Sequence, residues 1–166
     1  GIVVVRMHKQ ALAQRRLDVD MHLRIGAAAS EVLHESTETP YTDVNGNPFS
    51  FDTYRNKIRI AYIWASWSPS TANEFLVLQD IGTAYKDKNV VVLAVNRKEP
   101  KERAQAYLNT LTQDVSNIVF TIDETDAFYR LVEGFAMPET VIFNERGDIV
   151  WHYRGILTKD VLTEQL

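Results

Sequence analysis

Cysteine is missing from this chain altogether. Its absence excludes a disulfide, a thiolate nucleophile and any cysteine-ligated metal. It does not identify a compartment, because reducing and oxidising environments both tolerate cysteine-free chains. No stretch approaches the roughly 20 consecutive apolar residues of a membrane span. Neither sign of charge dominates: 22 acidic and 18 basic residues leave a formal charge of −4. That mildly acidic balance argues against a general nucleic-acid surface. The one basic cluster is local, at Arg6, Lys9, Arg15 and Arg16. There is no Gly-rich phosphate loop, no HExxH and no run of residues with metal-ligand spacing, so neither a metal nor a cofactor is expected. Internal repeats and low-complexity tracts are also missing.

What is present suits one domain with an appendage. Of 166 residues, 45% are hydrophobic, and three Trp, seven Tyr and seven Phe supply a sizeable core. Residues 1–35 are read as an N-terminal helical segment and 36–166 as the folded domain. The opening Gly1-Ile2-Val3-Val4-Val5 turns basic at Arg6. This is the pattern of a trimmed transmembrane segment or signal anchor, and equally of an ordinary strand. Residues 6–33 predict a helix with loose apolar periodicity, favoured by Ala27-Ala28-Ala29 and weakened by Gly26. It would serve as a spacer after a membrane exit, or dock on the domain.

Further along, residues 39–51 predict a hairpin, with Asn45-Gly46 as a tight turn whose two central residues need positive φ. The apolar, β-branched run Ile58–Trp64 predicts a buried central strand. A helix is expected from about Pro69 to Tyr85, with Phe75, Leu76, Leu78, Ile81 and Tyr85 on its apolar side. Ser68 would be its N-cap and Pro69 its first helical residue. Then follow a strand at Asn89–Asn96, a helix at Pro100–Leu111, a strand at Ile118–Ile122 and a helix at Thr125–Val132 capped by Asp123 or Thr125. Strands at Thr140–Phe143 and Asp148–Tyr153 flank the loop Asn144-Glu145-Arg146-Gly147, and a last helix runs through Thr158–Leu166. A hairpin followed by βαβαβαββα predicts an α/β layer fold with a mixed, largely parallel sheet flanked by helices.

Four segments carry a resemblance. Thr42-Asp43-Val44-Asn45-Gly46 through Tyr54-Arg55-Asn56-Lys57 is similar to T-D-x-x-G-x-x-x-x-L-x-x-Y-R-G-K. Ile63-Trp64-Ala65-Ser66-Trp67-Ser68-Pro69-Ser70-Thr71 is similar to F-W-A-T-W-C-P-P-C. Asn89–Asn96 matches G-V-V-V-L-G-V-N. Gly134-Phe135-Ala136-Met137-Pro138-Glu139-Thr140-Val141-Ile142-Phe143, with Gly147-Asp148-Ile149-Val150 after it, is similar to V-x-G-x-P-T-T-F-L-I-D-x-x-G-x-I. Over roughly residues 38–166 the chain thus resembles the TlpA/ResA-like thiol–disulfide oxidoreductases. These form a branch of the thioredoxin superfamily that works in the periplasm or outside the membrane, often tethered by an N-terminal helix. The resemblance implies a thioredoxin-like fold and a periplasmic or extracytoplasmic location, with a membrane tether upstream of residue 1.

The departure from that family lies in its chemistry. The two catalytic cysteines align with Ser68 and Thr71, and Ser70 replaces a common second proline. An active member needs a thiolate at a helix N-terminus and a second thiol one turn on. A serine hydroxyl there has no comparable ionised population and needs an adjacent general base. His152 is the only histidine in the closing strands, so a Ser68–His152 dyad is the one hydrolytic alternative. The unequal pair Ser68 and Thr71 reads as a natural loss rather than a designed trap, which would carry one replacement at both places. By resemblance Pro138 is cis and faces Ser68 and Thr71 across a shallow groove, with Met137 offering its backbone to an extended peptide. The expected groove is Trp67, Ser68, Pro69, Ser70, Thr71, Met137 and Pro138, with no catalytic residue.

Trp64 is expected in the core and Trp67 on the groove wall. Glu74 falls in the first helical turns. Glu139 reads as a solvated charge, or else as a carboxylate favouring polar or cationic partners. Glu99-Pro100-Lys101-Glu102-Arg103 reads as a solvated helix start. The expected function is non-covalent binding of an extended peptide or partner protein. The alternatives are an oxidoreductase represented by a cysteine-less variant, and a structural or assembly role acting through residues 1–33.

Overall fold

The computed structural model describes residues 39–166, so the N-terminal helix, the 35/36 boundary and the anchor reading lie outside the described residues. Seven strands form one sheet in the order β2-β1-β5-β4-β3-β6-β7. They are β1 (Tyr41–Asp43), β2 (Pro48–Phe49), β3 (Ile58–Trp64), β4 (Val90–Arg97), β5 (Val119–Asp123), β6 (Glu139–Phe143) and β7 (Ile149–Arg154). Strands β3, β4 and β5 run parallel. Strand β6 is antiparallel to β3, β7 to β6, and β1 to both β2 and β5. The mixed sheet expected from the element order is therefore present, but it is not largely parallel: four of its six strand pairings are antiparallel and only β3–β4 and β4–β5 are parallel. Among the described residues four helices accompany it: α1 (Thr71–Ala84), α2 (Lys101–Leu108), α3 (Ala127–Leu131) and α4 (Lys159–Thr163), besides a 3-10 turn at Phe51–Tyr54.

The period of two along β3 divides its side chains between two cores. Ile60, Tyr62 and Trp64 pack with Phe75, Leu78 and Ile81 of α1, Ala104 of α2 and Leu162 of α4. Ala61 and Ile63 pack on the other face with Phe49, Phe51, Phe128, Val141 and Phe143. A central strand buried on both faces reads as a continuous apolar run, which is why its sequence shows no alternation. No helix among the described residues is long and apolar enough to cross a membrane.

Three local expectations need correction. The first hairpin has a longer loop than a two-residue turn, since Thr42 pairs with Pro48. Only Gly46 takes positive φ, at 87°. The Asp43 carboxylate accepts the N–H groups of Asn45 and Asn47, and this local bonding sets the loop shape. Ser68 is not the cap of α1. Thr71 N–H donates to the Ser68 carbonyl and Glu74 N–H to the Ser70 carbonyl, so Pro69 occupies the second position of a turn and Ser70 precedes the helix. Leu76 lies outside the apolar stripe and is 48% exposed.

Candidate functional site

Strand register brings four loops to one end of the sheet. Trp64, which ends β3, pairs with Asn96 near the end of β4. Ile63 pairs with Glu139 at the start of β6, and Glu139 pairs with Arg154 at the end of β7. The segments after β3, β4 and β7 and the segment before β6 therefore emerge side by side. The Met137-Pro138 bond in the last of these is cis, and the Pro138 carbonyl accepts the Gly155 N–H at 3.1 Å.

Each of three loops is gripped by a buried carboxylate. Glu99, 3% exposed, accepts the Ser66 N–H at 2.8 Å and the Ser66 hydroxyl at 2.6 Å. It also accepts Asn96 Nδ2 at 2.8 Å. The solvated helix start expected at Glu99 is thus wrong, because this carboxylate turns inward to backbone and amide donors. Glu74, 1% exposed, accepts the Ser70 hydroxyl at 2.8 Å, the Tyr62 hydroxyl at 2.5 Å and the Leu157 N–H at 2.7 Å. Burial, followed by the Glu74 charge, pushes the Tyr62 phenol far up, so it stays a donor.

Glu139 is the third, and it is wholly buried rather than solvated. One oxygen accepts the N–H groups of Phe135 at 2.8 Å and Ala136 at 2.6 Å. The other meets His152 Nε2 at 2.7 Å. Because an ionised carboxylate only accepts, this ring nitrogen carries the hydrogen. Arg154 adds its charge at 3.5 Å from Glu139. Burial raises the Glu139 carboxyl, but the bonds from His152, Phe135 and Ala136 and the His152 charge outweigh it and hold the group below its ordinary value.

Tyr129 supports the same loop from beneath. Its hydroxyl donates to the Ala136 carbonyl at 2.9 Å. A Cβ at Gly134 would lie 2.2 Å from the Tyr129 ring, so only glycine lets the loop approach this closely. The Arg97 guanidinium lies 3.6 Å from the centre of that ring and binds Asp126 through two hydrogen bonds.

The expected site residues divide by exposure. Trp67 is 63% exposed while Trp64 is buried, as expected. Pro69 is exposed, Ser70 and Met137 are half-buried, and Pro138 is buried. Ser68 is 6% exposed and Thr71 is wholly buried, its hydroxyl donating to the Ala65 carbonyl at 3.3 Å. The Ser68–His152 dyad is contradicted: His152 Nε2 is held by Glu139, and Nδ1 faces the Arg154 guanidinium at 3.4 Å. Among the described residues no group of three or more acidic or His side chains could hold a metal.

Sequence reasoning missed Phe135, which is 75% exposed, with the Arg154 guanidinium 4.3 Å from its ring centre. It also missed Glu99, Tyr129 and the Glu139–His152 pair. For that pair a signal existed. Glu139 alternates in step with the buried Val141 and Phe143, and His152 pairs directly with Val141. Three buried carboxylates thus each hold backbone or side-chain donors of these loops, while Trp67 and Phe135 stay exposed.

A family model described as Redoxin matches residues 28–165. The thiol-disulfide oxidoreductase ResA of Geobacillus kaustophilus is 23% identical over 125 residues, covering 75% of this chain and 70% of that protein. The thiol:disulfide interchange protein DsbE of Xylella fastidiosa is 26% identical over 136 residues, covering 81% of this chain. The match spans 61% of DsbE's own length. Among solved structures, a secreted disulfide oxidoreductase of Mycobacterium tuberculosis superposes with a TM-score of 0.66 at 16% identity, over 81% of this chain and 96% of that one. An exposed lipoprotein thioredoxin of Streptococcus pneumoniae gives 0.63 at 20% identity, over 75% and 93%. The fold is thioredoxin-like.

Proposed function

This chain belongs to the Redoxin family, and from that premise we propose that it is a redox-inactive member that binds an extended segment of a partner protein without covalent chemistry. Thiol–disulfide exchange requires a thiolate to attack and a second sulfur to receive, and the chain has no cysteine. The binding surface is Trp67, Pro69, Ser70 and Met137, widened by Phe135; Ser68, Thr71 and Pro138 lie beneath it. One observation carries the reading. Trp67 and Phe135 stand 63% and 75% exposed on loops that the buried Glu99 and Glu139 fix through backbone hydrogen bonds. Large apolar side chains presented on a pre-ordered backbone lose little freedom on binding. Aromatic side chains are the usual anchors of such contacts.

The names of the secreted and lipoprotein neighbours describe those proteins. They support an extracytoplasmic location for this chain as part of the same proposal, with a membrane tether upstream of residue 1.

The test is a binding titration with a reduced, carboxamidomethylated polypeptide, which is permanently unfolded and free of thiols. Trp67→Ala and Phe135→Ala each weaken binding by about tenfold, the loss expected of an aromatic anchor. Equal binding by both variants and the parent chain would rule the surface out.

A further inference from the structure

His152 and Arg154 lie two residues apart on β7 and share a face of the sheet. Both reach for one buried carboxylate. Glu139 Oε2 meets His152 Nε2 at 2.7 Å, and Glu139 Oε1 lies 3.5 Å from Arg154 Nε. Arg154 Nη2 stands 3.4 Å from His152 Nδ1 and 3.4 Å from the Glu133 carbonyl. The same guanidinium lies 4.3 Å from the centre of the exposed Phe135 ring. The polar contacts of Arg154 are all long, so its place over Phe135 is held weakly.

The His152 ring carries its hydrogen on Nε2, because the carboxylate opposite only accepts, and this leaves Nδ1 to accept from Arg154. A second proton turns Nδ1 into a donor that faces another donor of the same charge. The two cations then compete for Glu139. His152 holds the short bond and its side chain is 2% exposed, whereas the Arg154 side chain is 31% exposed and has water to move into. Arg154 is therefore the group that gives way, and Phe135 loses the cation against its ring.

The other charged neighbours do not stand in for this change. Glu139 is held below its ordinary value of 4.5 and stays ionised in mildly acid solution. Tyr129 faces the cluster from α3, and burial, followed by the Glu139 charge, raises its hydroxyl, so it stays neutral. Arg97 and Asp126, which act on Tyr129, are paired with each other. Glu133 enters through its carbonyl. Histidine is the side-chain type that changes charge in mild acid, and His152 is the only one among the described residues.

We propose that protonation of His152 moves Arg154 off Phe135 and so weakens the capture of a partner chain in mildly acid solution. This rests on the peptide-binding reading above and adds its regulation.

The test has two arms. The first needs no partner and follows the His152 ring, the Arg154 Nε–H and the Phe135 amide by NMR of the full chain between about pH 7.5 and about pH 5.5. Arg154 and Phe135 should shift with the midpoint of the imidazole. Constant positions while the imidazole titrates, or an imidazole that takes up no proton in this range, would overturn the latch whether or not the surface binds a chain. The second arm titrates the full chain with the reduced, carboxamidomethylated polypeptide at both ends of the range. Binding should be weaker at the acid end by about threefold to tenfold, the loss expected of a cation–aromatic contact. The amide of His152→Gln can donate to Glu139 and accept from Arg154 without titrating, so this variant should bind alike at both ends. Arg154→Met should also bind alike at both, at the weaker level. Equal binding by the parent chain at both ends, or a pH dependence that persists in His152→Gln, would overturn the latch and leave the binding surface standing. No binding at either end is a failure of the peptide-binding reading, and the first arm then decides the movement of Arg154. Should His152→Gln fail to fold, Arg154→Met and the first arm decide.

Discussion

The carboxylate of Glu139 and the imidazole of His152 meet at 2.7 Å with both side chains almost wholly out of solvent. One end of this contact holds the Phe135 and Ala136 N–H groups, immediately before the cis Met137-Pro138 bond. The contact therefore orders the loop that leads into the Met137-Pro138 bond. Replacing Glu139 by Ala strands His152 and two backbone donors, at a cost of about 3–5 kcal/mol. The sign of the pH effect follows from the direction of the shift. The folded carboxyl titrates below its ordinary value of 4.5. Its stabilisation is thus complete above that value and is lost as pH falls through the lowered one. Thermal midpoints measured through the acid range should fall less steeply in Glu139→Gln than in the parent chain. Parallel slopes would contradict this assignment.

Gly134 and Tyr129 form a second contact that a single methyl group tests. The added Cβ of Gly134→Ala meets the Tyr129 ring at 2.2 Å. The expected destabilisation is about 1–3 kcal/mol by overpacking. Tyr129→Ala makes room, so the double variant should lose less than the sum of the two single losses. Additive losses in denaturant titrations would show that the ring does not press on the loop.

Glu99 ties the turn after β3 to the end of β4 through Ser66 and Asn96. Glu99→Ala leaves these buried donors without an acceptor, and each such loss costs about 1–3 kcal/mol. Amide exchange at Ser66 should accelerate more than exchange in β7, which Glu99 does not touch. Uniform acceleration would indicate global loosening instead.

Ser68→Cys with Thr71→Cys asks whether the scaffold is short only of sulfur. Position 68 is nearly buried and position 71 fully so, at the start of α1. The double variant should acquire dithiol-dependent reduction of a disulfide substrate, with the parent chain inert. Turnover by the parent chain would contradict redox inactivity.

Elements whose signal is local were legible in the sequence. The β-branched runs of β3 and β4 and the hairpin around Asn144–Gly147 fall where hydrophobic patterning puts them. The cap expected at Asp123 or Thr125 is neither: Asp126 holds the N-cap position, and the Asp123 carboxylate accepts the Ala127 and Phe128 N–H groups from outside the helix. The cis state of Pro138 followed from the resemblance, not from the residues. What stayed hidden depends on partners distant in sequence. Glu99 sits in a charged run that looks solvated, and its bond to Ser66 spans 33 residues. Glu74 finds Leu157 across 83 residues. Ser68 looked like a cap because Ser-Pro is a favoured helix start, yet the same dipeptide also starts a turn, and the turn prevailed. Phe135 gave no pattern at all, since nothing local says which aromatic stays outside.

The proposed function requires that a partner chain lies down on Trp67 and Phe135. The most direct check is an amide and indole NMR titration of the full chain with the unfolded, thiol-blocked polypeptide. Saturable shifts should centre on the Trp67 indole and on the amides of Phe135, Ala136 and Met137. Shifts confined to other surfaces, or no shifts at any concentration, would contradict it.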